Sequence, residues 1–291
     1  DTFDELSEWR NDDLVDIDPF GPNDDTIPSF NASDPTDQAT YYRWANEGEG
    51  LSMEVVSALD EDWQGIFEVA LREWDNGSPD SLTLTSSRIA YEYECEGEDG
   101  IIKVCNGNYG ATKWRGLNEV LLDRRRNLIL QSSAKLNEYY LSRATRDQKQ
   151  YTMCHEIGHG FGLPHWDEDF DNRDLGNCMD YTSRPQDNKT PDESNFIFLV
   201  GLYGEIGGTQ APSDPSRTRM LRGSSTTVES SITDEVRRRY LEARKDLEGV
   251  ADDLHALPHW RRLESNAFGE AHEMDLGDDV VLKVEMLLAD E

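Results

Sequence analysis

The sequence predicts an α/β fold in which a twisted mixed sheet supports the helix that carries the functional residues. Apolar residues recur at helical spacing between residues 60 and 77, and a second helical pattern covers residues 144–162. Strand-like runs occur before, between and beyond these helices, at 51–59, 81–94, 116–123 and 127–141. This order of strand, helix, several strands and helix predicts one sheet with helices packed against it.

Local signals mark the ends of the two predicted helices. Asp60 or Asp62 can cap the first helix, because a short acidic side chain accepts hydrogen bonds from exposed backbone amides. Thr145 and Gln148 have the spacing of a capping box at the start of the second helix. Gly77 can end the first helix, and Gly160 or Gly162 can end the second.

The pattern predicts a closing helix and then a change of composition. Residues 190–204 read as a helix with Pro191 in its first turn and Gly204 at its end. A stretch rich in Gly, Ser, Thr and Pro follows, which is typical of a linker. The last apolar run, residues 280–288, predicts a strand or a short helix. Four regions result: an acidic extended arm at 1–40, a main domain at 41–204, a linker at 205–232 and a helical and strand-containing C-terminal extension at 233–291.

The charge balance excludes some partners. The chain has 28 Lys and Arg against 60 Asp and Glu, a formal net charge of -32. Such a field repels nucleic acids and anionic lipid surfaces, and it suits metal ions or cationic partners. Solubility alone is the alternative reason for the acidity. No apolar stretch is long enough for a membrane span, and the mean hydropathy is -0.75.

Four cysteines indicate an oxidising compartment. Cys95, Cys105, Cys154 and Cys178 form an even set, which allows three pairings. Cys95 and Cys105 flank a turn-rich stretch between two strand-like runs, so a bridge across this hairpin would leave Cys154 to pair with Cys178. We therefore expect two disulfides and an extracellular, secreted protein.

The most informative motif begins at His155. His155 and His159 are four residues apart on the second predicted helix, so both imidazoles can point at one ion from the same face. Gly162 can adopt a positive φ angle and return the chain so that His165 supplies a third nitrogen. Three neutral imidazoles with an open position for water are typical of catalytic zinc sites. The sequence thus predicts Zn²⁺ held by His155, His159 and His165.

Glu156 occupies a different position around the same helix. It lies about 100° from His155, so its carboxylate can stand beside the metal and take a proton from a zinc-bound water. Hydrolysis of peptide or ester bonds is the natural chemistry of this arrangement. The alternatives are a structural zinc site or a hydrogen-bonded histidine cluster, although structural sites rarely combine three histidines with such a glutamate.

These residues, in the pattern HExxHxxGxxH, resemble the zinc signature of the metzincin metallopeptidases. A second resemblance is the Met-turn, which in this chain corresponds to Met179 in the stretch from Cys178 to Tyr181. The resemblance implies that Met179 is an apolar floor beneath the imidazoles and not a ligand. Tyr181 matches the position of a tyrosine in astacins and serralysins that binds zinc and then stabilises the oxyanion, with simple packing as the alternative. The residue after His165 is Trp166, unlike either subfamily, so the subfamily stays open.

The resemblance covers about residues 41–204 and implies a zinc-dependent endopeptidase acting on protein or peptide substrates. It also implies that the last strand before the zinc helix, within 127–141, lies at the edge of the cleft, where its free edge could pair with substrate. A bridge between Cys154 and Cys178 would clamp the zinc helix to the Met-turn.

Three further hypotheses accompany this interpretation. The acidic loop from Asp167 to Asp174 could hold Ca²⁺, although its spacing matches no EF-hand and a solvated loop is the alternative. A catalytically silent acidic scaffold that retains the zinc fold is the rival function, and a zincin whose third ligand is a distant glutamate is the rival enzyme. His255 and His259 are also four apart, but Pro258 interrupts that helix.

Overall fold

The structure is a computed structural model, and it describes residues 41–166, 173–207, 232–249 and 254–289. These residues form one mixed sheet of eight strands with helices on both faces. In chain order the elements are β1 (Leu51–Ser57), α1 (Glu61–Asp75), β2 (Leu82–Arg88), β3 (Ile102–Gly107), β4 (Trp114–Asp123), β5 (Leu128–Asn137), α2 (Glu138–Leu141), α3 (Arg146–Gly160), α4 (Glu193–Tyr203), α5 (Asp234–Gly249), β6 (Trp260–Ser265), β7 (Gly269–Gly277) and β8 (Val280–Leu288).

Helix α1 follows directly from its sequence. The Asp60 side chain caps it by accepting a hydrogen bond from the amide of Asp62, as predicted. Six apolar residues at helical spacing form a buried face that packs against the rest of the core: Trp63, Ile66, Phe67, Ala70, Leu71 and Trp74. The helix ends at Asp75, two residues before the predicted Gly77, where Asn76 provides the C-cap.

The other helices differ from prediction at their starts. Thr145 accepts a hydrogen bond from the amide of Gln148, but the Gln148 side chain lies 3.5 Å from Thr152 Oγ1, so only half of the predicted capping box is present. Helix α4 begins at Glu193 and is capped by Asp192, so Pro191 lies before the helix and not in its first turn. The prediction was wrong because the stronger cap, an Asp, decides the start. Gly204 ends α4 as expected.

The sheet has the strand order β2-β1-β3-β5-β4-β8-β7-β6. Strands β2, β1, β3 and β5 are mutually parallel, whereas β4, β8, β7 and β6 follow as antiparallel neighbours. The pattern at 127–141 is a strand only to Asn137, because the Asn137 side chain accepts from the amide of Tyr139 and caps the short helix α2. The run at 280–288 is a strand.

The described C-terminal residues continue this same sheet. Strand β8 pairs with β4 along its whole length, from Trp114 opposite Leu288 to Asp123 opposite Val280. Alternate residues of the two strands face opposite sides, since side chains alternate along a strand. One side packs with α3 and includes Val120, Leu122, Val281 and Leu287. The other packs under α5 and includes Leu117, Leu121, Leu282, Val284 and Met286.

A buried ionic cluster joins α5 to the sheet. Glu119 on β4 accepts from Arg244 Nε of α5 at 3.1 Å and forms an ion pair with Lys135 of β5. Tyr240 donates a further bond to the same carboxylate at 3.3 Å. Burial alone raises the pKa of Glu119, but Lys135 and Arg244 lower it below its ordinary value. The carboxylate is therefore ionised at neutral pH.

Replacing Glu119 by Ala is expected to reduce the free energy of unfolding by about 3–5 kcal/mol, because two buried cations lose the carboxylate between them. Urea denaturation followed by circular dichroism measures the loss. The matched control is Glu61→Ala, which removes an exposed pair with Arg88 and should change stability by less than about 0.5 kcal/mol. Equal effects of the two substitutions would contradict a stabilising role for the cluster.

Candidate metal centre

Helix α3 and the turn after it bring three histidines together. His155 and His159 are one helical turn apart on α3, and the helix ends at Gly160. Gly162 has a φ of 92°, the left-handed conformation that reverses the chain and returns His165 to the same place. The ligand-capable nitrogens of the three histidines lie within 4.8 Å of one another, and all three residues are buried. The structure therefore places together the three residues predicted as ligands.

The outer ring nitrogens of two histidines are held by backbone carbonyls. His155 Nδ1 lies 2.7 Å from the carbonyl oxygen of Cys178, and His159 Nδ1 lies 2.9 Å from that of Leu163. Each Nδ1 can therefore carry the proton and donate it, which leaves Nε2 as an acceptor. The two Nε2 atoms lie 3.0 Å apart. Two lone pairs that face each other at this distance fit a shared cation, and this outer support is typical of metal-binding histidines.

The imidazoles of His155 and His159 are neutral at physiological pH. Burial, with the positive charge that His159 and His165 would carry, lowers the pKa of His155 well below its ordinary value. Burial likewise lowers the pKa of His159 to about 4. A neutral ring is the form that binds a metal. The donor set therefore fits Zn²⁺, for which imidazole nitrogen is a preferred ligand.

Glu156 lies beside this cluster and is completely buried. Neither of its carboxylate oxygens has a hydrogen-bond partner among the described residues, which is costly for a buried polar group. Burial and the nearby Glu285 raise the pKa of Glu156 well above its ordinary value. A divalent cation reverses this effect, because a positive charge favours the ionised carboxylate. The position suits a group that exchanges a proton close to the metal.

A glycine on β4 makes room for this carboxylate. A side-chain carbon added at Gly116 would collide with the Glu156 carboxylate, so only glycine fits the contact. Asn118, two residues further along β4, donates a hydrogen bond from its Nδ2 to the Glu156 backbone oxygen at 2.8 Å. Neither residue was predictable as part of the site, because the sequence pattern of a strand does not indicate which helix packs against that strand.

Replacing Gly116 by Ala is expected to displace the Glu156 carboxylate and lower the kcat/KM for peptide hydrolysis by about 10–100-fold. The matched control is Gly65→Ala on α1, where an added carbon meets open space and should leave activity unchanged. Steady-state kinetics with a fluorogenic peptide compare the variants with the unmodified chain. An unaltered kcat/KM in Gly116→Ala would show that the contact does not position Glu156.

Met179 and Tyr181, the residues that resemble a Met-turn, lie close to α3 and to His165 respectively. Met179 is fully buried, with its thioether against Gly158 of α3. The Tyr181 hydroxyl lies 2.9 Å from His165 Nε2. Both cysteine pairings that the sequence favoured are present, with Cα separations of 5.8 Å for Cys95–Cys105 and 5.9 Å for Cys154–Cys178. The second bridge ties α3 to the Met-turn.

Residues of the C-terminal strands also reach the site, which the sequence analysis did not foresee. Glu285 Oε2 lies 3.3 Å from His159 Nδ1, and Glu264 Oε1 lies 3.1 Å from His165 Nδ1. Lys283 pairs with Glu285 at 2.7 Å. One signal was visible in the sequence: Lys283 and Glu285 share a strand face with Val281 and Leu287, an unusual position for charges unless they meet partners inside.

The Ca²⁺ hypothesis for the loop from Asp167 to Asp174 stays a prediction. Residues 167–172 of the predicted Ca²⁺ loop lie outside the described residues, and Asp174 accepts hydrogen bonds from Thr182 and Arg184. His259 lies 2.7 Å from Asp246 and is remote in sequence from the three-histidine cluster. The acidic arm at 1–40 and most of the linker also lie outside the described residues. Within the described ranges, no helix is long and apolar enough to cross a membrane.

Comparisons with known proteins give weak structural similarity and no sequence match. No protein-family profile and no curated protein sequence matches the chain. Among solved structures, the chain is similar to high choriolytic enzyme 1, a hatching enzyme zinc-protease from the medaka fish Oryzias latipes, with 13% identity and a TM-score of 0.30. The similarity covers 57% of this chain and 95% of that one. At these values the similarity identifies neither a family nor an activity for this chain.

Proposed function

We propose that this protein is a secreted zinc-dependent endopeptidase of the metzincin type. The observation that carries the proposal is the buried cluster of His155, His159 and His165, together with the buried and unpartnered carboxylate of Glu156, which directly follows His155 on α3. A structural zinc site does not require such a carboxylate, whereas hydrolysis requires a proton acceptor next to the metal. Two disulfides are compatible with secretion.

Each residue has a distinct role in this proposal. His155, His159 and His165 would hold Zn²⁺, which supplies a Lewis acid that polarises the substrate carbonyl and acidifies a water molecule. Glu156 takes a proton from the attacking water at its carboxylate and later gives one to the leaving amine. Tyr181 would donate a hydrogen bond to the developing oxyanion, and its hydroxyl lies 2.9 Å from His165 Nε2. Met179 packs beneath the histidines and takes no part in proton transfer.

A catalytically silent scaffold is the second candidate, and one observation favours it. Glu156 and His155 have no exposed surface, and His159 and His165 are only 2% and 7% exposed, so the site is closed in the intact chain. The carboxylate of Glu156 argues against this candidate, because an unpartnered buried acid is destabilising and a scaffold would gain from losing it.

The test is hydrolysis of short quenched-fluorescence peptides and of unfolded casein by the zinc-loaded chain. We expect cleavage that a chelator abolishes and added Zn²⁺ restores, with Glu156→Gln as the inactive control. Zinc content is measured in parallel by atomic absorption, with one zinc per chain expected. Zinc binding without hydrolysis of any peptide, in both the intact chain and the opened form described below, would favour the scaffold.

A further inference from the structure

The outer edge of β4 is fully occupied by β8. Asn118 of β4, which contacts Glu156 of the candidate site, is paired in register with Glu285 of β8. The resemblance to metzincins suggested a free cleft edge within residues 127–141, but β5 lies between β3 and β4 and both of its edges are paired. Strand β4 contacts Glu156 through Gly116 and Asn118, and an extended polypeptide cannot add to its outer edge while β8 is in place.

All three C-terminal strands contact the site. On β8, Glu285 lies against His159, and on β6, Glu264 lies against His165. At the start of β7, Gly269 approaches Tyr181 so closely that any side-chain carbon would collide with the phenol ring. These contacts come from three different strands and reach two of the three histidines and the neighbouring Tyr181. Because three strands contribute these contacts, strands β6–β8 together form a cover over the site.

A cavity remains between β8 and one histidine of the cluster. A cavity of about 220 Å³ reaches His159 and is bounded on one side by Lys283 and Glu285 of β8. Glu156 does not line it. This cavity therefore reaches one histidine of the cluster but not the Glu156 carboxylate.

The cover is anchored on the face of the sheet that points away from the histidines. Leu282, Val284 and Met286 alternate with the site-facing residues of β8 and pack beneath α5. A substitution on this outer face can loosen β8 without touching the histidine cluster. The chain thus offers a way to open the site selectively.

We propose that strands β6–β8 are an intramolecular closing element that keeps the histidine cluster inaccessible. Strand β8 occupies the edge of β4 with which an extended substrate would pair. The occupant of the edge is the chain's own segment 260–288. The closure of the histidine site is inferred from geometry alone. Its consequence, that the intact chain is latent toward polypeptides, rests on the proposed function. Displacing these strands is then the step that opens the site.

Histidine reactivity tests the closure without requiring metal or activity. The full metal-free chain is treated with diethyl pyrocarbonate, and modification of His155, His159 and His165 is followed by mass spectrometry. We expect modification at least tenfold faster in Leu282→Ala than in the unmodified chain. Ile66→Ala, a buried truncation on α1 away from the cover, is the matched control and should not accelerate it. The exposed His259 serves as the internal reference.

A second variant keeps the test decisive if Leu282→Ala does not fold. Leu121 and Leu282 are register partners on β4 and β8, so Leu121→Cys with Leu282→Cys can lock the two strands by a disulfide. The locked chain should show site histidines at least tenfold less reactive than the unmodified chain. Equal reactivity of these histidines in the unmodified, loosened and locked chains would overturn the proposal.

Polypeptide cleavage separates this proposal from the proposed function. Zinc-loaded Leu282→Ala should cleave unfolded casein at least tenfold faster than the intact chain, and adding Glu156→Gln should abolish that gain. If the histidines become reactive but no cleavage follows, the closing role stands and the peptidase function fails. If the intact and loosened chains cleave casein equally and their histidines react equally, the function stands and the closing role is wrong.

Discussion

Replacing Glu156 by Gln is expected to lower the kcat/KM for peptide hydrolysis by roughly 10²–10⁴-fold while leaving zinc bound. The amide has nearly the shape of the carboxylate but cannot accept the proton of the attacking water. The histidine nitrogens, their backbone partners and the Cys154–Cys178 bridge are unaffected by the change. Zinc content per chain and steady-state kinetics on a short peptide separate the two properties.

Glu61→Gln is the matched control, because it makes the same chemical change at an exposed position on α1. It should alter neither zinc content nor kcat/KM. Both variants are best measured in the Leu282→Ala chain as well as in the intact one, so that closure of the site does not hide the difference. Undiminished, chelator-sensitive hydrolysis by Glu156→Gln would refute the role of this carboxylate.

Zinc is expected to stabilise the folded chain strongly, and His155→Ala is expected to abolish the effect. A ligand that binds only the folded state at a thousandfold excess over its Kd contributes about 4 kcal/mol. For a chain of this size the corresponding rise in Tm is roughly 10 °C. His155 is a member of the cluster, with its Nε2 3.0 Å from that of His159, so its loss removes one of three converging nitrogens.

Differential scanning calorimetry with and without Zn²⁺ measures the shift. His259→Ala is the matched control, since His259 is exposed and pairs with Asp246 outside the cluster. It should retain the full zinc-dependent rise in Tm. A zinc-dependent rise in Tm that persists in His155→Ala would place the zinc elsewhere. The absence of such a rise in the unmodified chain would exclude zinc binding.

Much of the candidate site was predictable from local sequence. The four-residue spacing of His155 and His159 is a direct consequence of the helical repeat, and Gly162 marks where the chain can reverse toward His165. The same repeat predicts that Glu156 points in a different direction around the helix from His155. The roles of these residues remain predictions, but their convergence is a property of the structure.

The surroundings of the site were less predictable. The segment 127–141 was expected at the cleft edge, yet the structure has β5 inside the sheet and β4 beside the site. Alternation reveals that a segment is a strand but carries no information about which strand pairs with it. Gly116 shows the same limit, because its contact with Glu156 joins residues 40 positions apart in the chain.

The sequence by itself determined the local geometry of this protein: the helix that carries His155 and His159, the turn at Gly162, the cap at Asp60 and the alternating strands. These features depend on neighbouring residues and on the fixed periods of helix and strand. Only the tertiary structure decided that β8 covers β4 and that Glu264 and Glu285 lie against the histidines. Pairing between strands more than 150 residues apart is selected by the burial of two shared cores, which no local pattern encodes.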